Sequence, residues 1–229
     1  DDIEGNIAQA KRLAEVGCDI IRIAVPNMEA IKTLAAVKEA CALPLVADIH
    51  FDYKLAIESV VAGADKIRIN PGNIGSDERV KAVADCCRAK NIPIRIGVNS
   101  GSLGKDMLSK YGGPTPQALA QSALYNAKLL ERYNFDNIVI SVKSSDAKTT
   151  VEANRILSQS CPYPLHLGVT EAGTEEMSAL KSAAAIGSLL LDGIGDTIRI
   201  SITGTLECEV IVGQNLLASL GMSNRPTVI

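Results

Sequence analysis

Long apolar runs, a strong net charge and paired cysteines are all missing from this chain, and each absence excludes a class of function. No apolar run is long enough to span a bilayer, so no membrane association is expected. The net charge of −3 leaves no excess of Lys and Arg for a nucleic-acid surface. The six cysteines, Cys18, Cys41, Cys86, Cys87, Cys161 and Cys208, contain no C-x-x-C pair and no spacing suited to metal ligands. Cys87 falls in the helical stripe Val80-Val83-Ala84-Cys87, so free, buried thiols in a reducing cytoplasm are the expectation, with no metal site. The opening residues, Asp1-Asp2-Ile3-Glu4-Gly5, show neither the basic region nor the apolar stretch of a signal peptide, which again suits a cytoplasmic protein.

What the chain does have is alternation. Seven short runs carry an apolar set interleaved with a second set that bears the chemistry. The second set reads Ile20/Arg22/Ala24, Val46/Asp48/His50, Lys66/Arg68/Asn70 and Arg95/Gly97/Asn99. It continues as Val139/Ser141/Lys143, His166/Gly168/Thr170 and Thr197/Arg199/Ser201. Strand side chains alternate faces with period two, so the two sets face opposite ways. Cations facing inward from several strands repel one another unless an anion lies among them. Either they form ordinary internal ion pairs with Asp48, Glu171 and their neighbours, or they surround an anionic ligand. Basic groups outnumber acids on these strands, which favours the ligand.

The runs begin near residues 19, 44, 65, 92, 136, 163 and 196, and helical spacing fills the gaps. Examples are Ile31-Leu34-Ala35-Lys38, Leu55-Ser59-Ala62 and Leu119-Ser122-Ala123-Asn126-Leu129-Leu130. Helices are expected to stop at Gly17, Gly63 and Gly193. This rhythm means βα repetition and a parallel sheet. In an open doubly wound sheet the central strands are buried on both faces and read as continuous apolar runs. Here one face is polar, which favours an α/β fold of the (β/α)8 TIM-barrel type over residues 1–229. The chain opens on a helix (Ile3, Ile7, Ala10-Lys11, Ala14) and shows seven strands, so the expectation is that the first barrel strand lies outside it.

The candidate chemistry follows the strands. Asn70-Pro71-Gly72-Asn73-Ile74-Gly75 and Asn99-Ser100-Gly101-Ser102-Leu103 are glycine-bearing loops whose N–H groups can point at a phosphate or diphosphate, with Arg68, Arg95, Lys143 and Arg199 nearby. Simple turn chemistry is the alternative for each loop. Gly193-Ile194-Gly195-Asp196 precedes a strand, so it reads as a turn rather than a nucleotide fingerprint. Glu171 is either an acid/base group at the active end or a carboxylate favoured by a helix start. Asp48, His50 and Asp52 alternate in a pattern that a divalent metal can also use.

At these residues the chain resembles a known family. The motifs are Val46-Ala47-Asp48-Ile49-His50-Phe51-Asp52, Lys66 to Gly75, Arg95 to Leu103, Ser141-Val142-Lys143-Ser144-Ser145, Gly168-Val169-Thr170-Glu171-Ala172-Gly173 and Gly193 to Arg199. In this order they are similar to those of 4-hydroxy-3-methylbut-2-enyl diphosphate synthase, an oxidoreductase of the methylerythritol phosphate route to isoprenoids. The resemblance implies a barrel like that of pterin-binding synthases. It implies diphosphate-binding groups at Arg22, Arg68, Asn70, Arg95, Asn99, Lys143, Arg199 and Ser201, and an acid/base carboxylate at Glu171. It further implies 2-C-methyl-D-erythritol 2,4-cyclodiphosphate as substrate, flavodoxin or ferredoxin as electron donor, and a homodimer. The family's [4Fe-4S] cluster is held by a C-terminal domain that this chain does not contain, so the chain alone is expected to be inactive. Thr203-Gly204-Thr205-Leu206-Glu207 departs from the family's usual acidic-proline helix start. Two rival readings are a diphosphate-binding module without turnover and a metal-dependent barrel using Asp48, His50 and Glu171.

Overall fold

Helices and strands alternate along a chain whose polar strand ends carry the candidate site. The computed structural model describes residues 2–170 and 173–222. In order they form α1 (Ile3–Glu15), β1 (Ile21–Ala24), α2 (Met28–Ala40), β2 (Leu45–Asp48), α3 (Tyr53–Val61), β3 (Lys66–Ile69), α4 (Pro71–Ile74), α5 (Asp77–Ala89) and β4 (Ile94–Asn99). A 3-10 turn (Ser100–Ser102), α6 (Lys105–Tyr111), α7 (Pro116–Glu131), β5 (Ile138–Lys143), α8 (Ala147–Ser160), β6 (His166–Gly168), α9 (Glu175–Leu191), β7 (Thr197–Arg199) and α10 (Leu206–Ser219) follow. All seven expected strands are present. Several are shorter than their alternating runs, because the chain leaves the sheet at Asn70 and after Arg199 to begin its next element. Among the described residues no helix is long and apolar enough to cross a membrane.

The chain divides into two compact units, Asp1–Ile96 with Asn126–Val139, and Gly97–Tyr125 with Ile140–Ile229. In the first, β1, β2, β3 and the start of β4 pair in parallel, and Ile94 donates its N–H to the Asn137 carbonyl just before β5. The apolar pleat positions Ile67, Ile69, Ile94 and Ile96 are fully buried. Helix α5 buries Val80, Val83, Ala84 and Cys87, the stripe read from spacing. Helix α1 differs from expectation: it buries Ala10 and Leu13, while Ala14 is exposed. Leu13, the larger apolar side chain, is buried, and the smaller Ala14 beside it is exposed.

In the second unit β6 and β7 pair in parallel, and β5 joins them through the Ile140–Leu165 bridge. Helices α8 and α9 pack on one another, and α10 lies against β7 and α9. Gly17, Gly63 and Gly193 end their helices with positive φ (83°, 100° and 73°), as the sequence suggests.

The aspartates that follow such glycines do more than end a helix. Asp65 accepts the N–H of Leu45 at 2.8 Å, and Asp196 accepts that of Leu165 at 2.8 Å. Each carboxylate thus satisfies an amide at the start of the preceding strand, Leu45 opening β2 and Leu165 lying just before β6. Prolines serve the same entries from the other side: the carbonyls of Pro44, Pro93 and Pro164 accept from Ile21, Ile67 and Ile140. In the Gly193–Asp196 turn, Gly195 sits at φ +115°, where a Cβ would collide with Leu167. The motif is a packed turn.

Candidate functional site

In the first unit, strand register decides which polar side chains meet. Ala24 lies beside Asp48, Asp48 beside Arg68, and Arg68 beside Arg95, forming one row. Two residues earlier on the strands, Arg22, Val46 and Lys66 form a second row. Partnered residues of a parallel sheet point to the same face, so four cations and one carboxylate share it.

Asp48 is the hub. It is 2% exposed. Its Oδ2 takes Arg22 Nη1 at 2.6 Å and its Oδ1 takes Arg68 Nη1 at 2.9 Å, with His50 Nε2 at 3.8 Å. Burial alone would push this carboxyl up, but the Arg68 and Arg22 guanidiniums outweigh it and hold the group below the usual carboxylate range. Arg22 and Arg68 therefore each have Asp48 as a counter-ion.

Further cations lie on the same face. Arg95 is buried, and its charge adds to the burial that pushes the Lys66 ammonium below its ordinary range. On β1–β4 this face carries Arg22, Lys66, Arg68 and Arg95 together with the carboxylate of Asp48. A face this rich in cations is suited to an anion. Asn70 is the N-cap of α4: its Oδ1 accepts from Gly72 N at 3.2 Å, and Asn126 Oδ1 accepts from the same N–H at 2.8 Å. Residues 71–74 thus form a short capped helix rather than a loop open to an anion, the turn-like alternative for this segment.

In the second unit, Ile140 donates to the Pro164 carbonyl and Thr170 donates to the Ser144 carbonyl. With the register between them continuous, Lys143 stands beside Gly168, and Gly168 beside Arg199. One row earlier, His166 Nδ1 lies 2.8 Å from Thr197 Oγ1. Arg199 Nη2 reaches Glu209 Oε1 at 3.4 Å, and the same oxygen accepts Ile202 N at 3.2 Å, tying the segment after β7 to α10. Ser201 follows β7, half-buried. Asn99 ends β4 and precedes the 3-10 turn, where Ser102 Oγ donates to the Asn99 carbonyl at 3.2 Å. Glu171 lies outside the described residues.

The metal reading meets a physical objection at Asp48. Both of its oxygens face guanidiniums, so a divalent ion would meet two positive charges. Asp52 is drawn away to cap α3, its Oδ1 accepting from Lys54 N at 2.9 Å. Among the described residues no three of His, Cys, Asp and Glu gather in a way that could hold a metal ion. The six cysteines are free and dispersed. These residues do not fit a [4Fe-4S] cluster, which takes converging cysteine thiolates.

The sequence offers Asp48 as an internal counter-ion or a metal ligand, and the register shows which two arginines it pairs with.

Comparison with known proteins identifies the fold and family. The model of the GcpE TIM-barrel domain matches residues 1–214. A 4-hydroxy-3-methylbut-2-en-1-yl diphosphate synthase (flavodoxin) of Caldanaerobacter subterraneus subsp. tengcongensis is 55% identical over 221 residues, which cover 96% of this chain and 62% of that protein. The enzyme of the same name from Clostridium perfringens is 55% identical over 220 residues, covering 96% and 63%. The chain thus spans less than two thirds of the length of these relatives. Among solved structures, Yersinia pestis dihydropteroate synthase superposes with a TM-score of 0.61 at 14% identity, covering 96% of this chain and 90% of its own. A truncated Thermotoga maritima 3-deoxy-D-arabino-heptulosonate 7-phosphate synthase gives 0.66 at 16% identity, covering 96% and 83%. Both superpositions agree with the barrel fold that the resemblance implies. The parallel strands, the alternating helices and the match over residues 1–214 lead to one conclusion: this chain has the α/β TIM-barrel fold and belongs to the GcpE family.

Proposed function

We propose that this chain is the substrate-binding barrel of an oxidoreductase that converts 2-C-methyl-D-erythritol 2,4-cyclodiphosphate to (E)-4-hydroxy-3-methylbut-2-enyl diphosphate. The observation that carries the reading is the concentration of cations on the polar face of β1–β4, where Arg22, Lys66, Arg68 and Arg95 share the face with the carboxylate of Asp48. A doubly anionic group complements such a face, and family membership supports the cyclodiphosphate as that group. On this reading Arg22, Arg68, Asn70 and Arg95 are the diphosphate-binding candidates within the first unit, and the family resemblance adds Asn99, Lys143, Arg199 and Ser201 as candidates within the second. Guanidinium forks suit phosphate oxygens in pairs, and Lys143 adds a compact charge.

The reaction consumes two electrons and two protons. A ring C–O bond breaks, the diphosphate keeps the released oxygen, and one hydroxyl leaves as water. The cations stabilise negative charge on the departing diphosphate oxygen. Glu171 is assigned the proton transfer that lets water leave. Flavodoxin, which the relatives' names carry, is assigned as electron donor, with ferredoxin the alternative, and the [4Fe-4S] cluster and homodimer are implied by the family. No residue described here is assigned to holding that cluster.

Calorimetry with the cyclodiphosphate tests this on the full-length protein. Lys143→Ala and Arg95→Ala should each weaken binding by about 10- to 100-fold, the loss of a charge-assisted hydrogen bond. Wild-type affinity in both variants would overturn the assignment.

A further inference from the structure

We propose that Gly168 is a positioning residue, whose missing side chain seats the Lys143 ammonium beside Arg199. The inference deepens the reading above and rests on it for the role of Lys143. Lys143, Gly168 and Arg199 are consecutive members of one row across β5, β6 and β7. A Cβ built on Gly168 would stand 2.8 Å from Lys143 Nζ, 2.9 Å from Lys143 Cε and 2.9 Å from the Arg199 carbonyl oxygen. No side chain fits there while the lysine stays where it is.

The lysine therefore crosses its row over bare backbone. Its four-carbon stem is flexible, and without a fixed floor the charge would be spread over many rotamers. The glycine supplies that floor at one place. The two units handle the same row position differently. In the first, Asp48 stands beside Arg68 and takes two guanidiniums. In the second, the position beside Arg199 has no side chain, and the lysine occupies the space. Ordinary glycine arguments do not apply, because the backbone at Gly168 is not in the left-handed region and other residues could adopt it. The requirement comes from its neighbours.

The test uses the full-length protein and two readouts. The first, without ligand, is the rate of acetylation of Lys143 by acetic anhydride, followed by mass spectrometry of its peptide. Gly168→Ala should change that rate at least about threefold, because the ammonium must move. The second is a double-mutant cycle of Gly168→Ala and Lys143→Ala, read as affinity for the cyclodiphosphate. Gly168→Ala should weaken binding about tenfold alone and less than about twofold when Lys143 is already Ala. An unchanged acetylation rate, or losses that multiply, would overturn the proposal. If Gly168→Ala does not fold, the double variant decides. Recovery of folding once the lysine is removed supports the seat, whereas continued failure assigns the glycine to the Arg199 carbonyl and overturns it. Wild-type binding by Lys143→Ala would instead defeat the functional reading of the lysine, leaving the acetylation rate to decide whether Gly168 seats it.

Discussion

Arg68 donates through Nη1 to Oδ1 of Asp48 at 2.9 Å, and the two residues are direct register partners on β3 and β2. Arg22 reaches the other oxygen from the neighbouring row. A buried carboxylate shared by two guanidiniums organises this part of the face.

Removing that carboxylate should be costly. Asp48→Ala leaves two cations without their shared counter-ion, and stability should fall by about 3 kcal/mol, the low end for a broken buried pair because Arg22 remains partly in water. The folded-state pKa is depressed, so the contribution is fully present above the unfolded value near 4. It is lost as pH falls through the folded value. Urea unfolding of both proteins should show a constant gap from about pH 6 to 8 that closes in acid. A gap that persists unchanged at about pH 2 contradicts the pairing.

Lys66 should behave in the opposite sense. Burial first, and Arg95 second, lower its folded-state pKa, so the charged form is disfavoured in the native protein. The resulting cost is present below the folded pKa and fades as pH rises through it toward the ordinary lysine value. Lys66→Met should accordingly raise the melting temperature at pH 7, with the advantage shrinking as pH rises toward about 10. A lower melting temperature at pH 7 would show that the ammonium is stabilised where it sits.

The cysteines should separate by reactivity. Burial pushes the Cys87 thiol up to about 12, with Cys86 adding to the shift, and its side chain is inaccessible. Iodoacetamide at pH 8 should leave Cys87 unmodified in the native protein and label it after denaturation. Native labelling of Cys87 at the rate of half-buried Cys208 would place the α5 stripe elsewhere.

Much of this is legible along the chain because it is local. Period-two alternation locates all seven strands, and the stripe Val80-Val83-Ala84-Cys87 locates the buried face of α5. Gly17, Gly63 and Gly193 mark helix ends because positive φ is a property of single residues. The loop at residues 70–75 reads less well. Its glycines and asparagines suit an anion cradle and a capped helical turn equally, and Asn126, distant in sequence, completes the helical arrangement.

The sequence by itself determines the βα rhythm and the set of cations on the polar pleat positions, since both follow from side-chain direction along each strand. Only the tertiary structure decides how those cations are shared. Pairing Asp48 with Arg22 and Arg68, and laying Lys143 across Gly168, depend on register between strands separated by 20 or more residues. A one-residue change of register would turn either contact to the opposite face, and no local pattern specifies it.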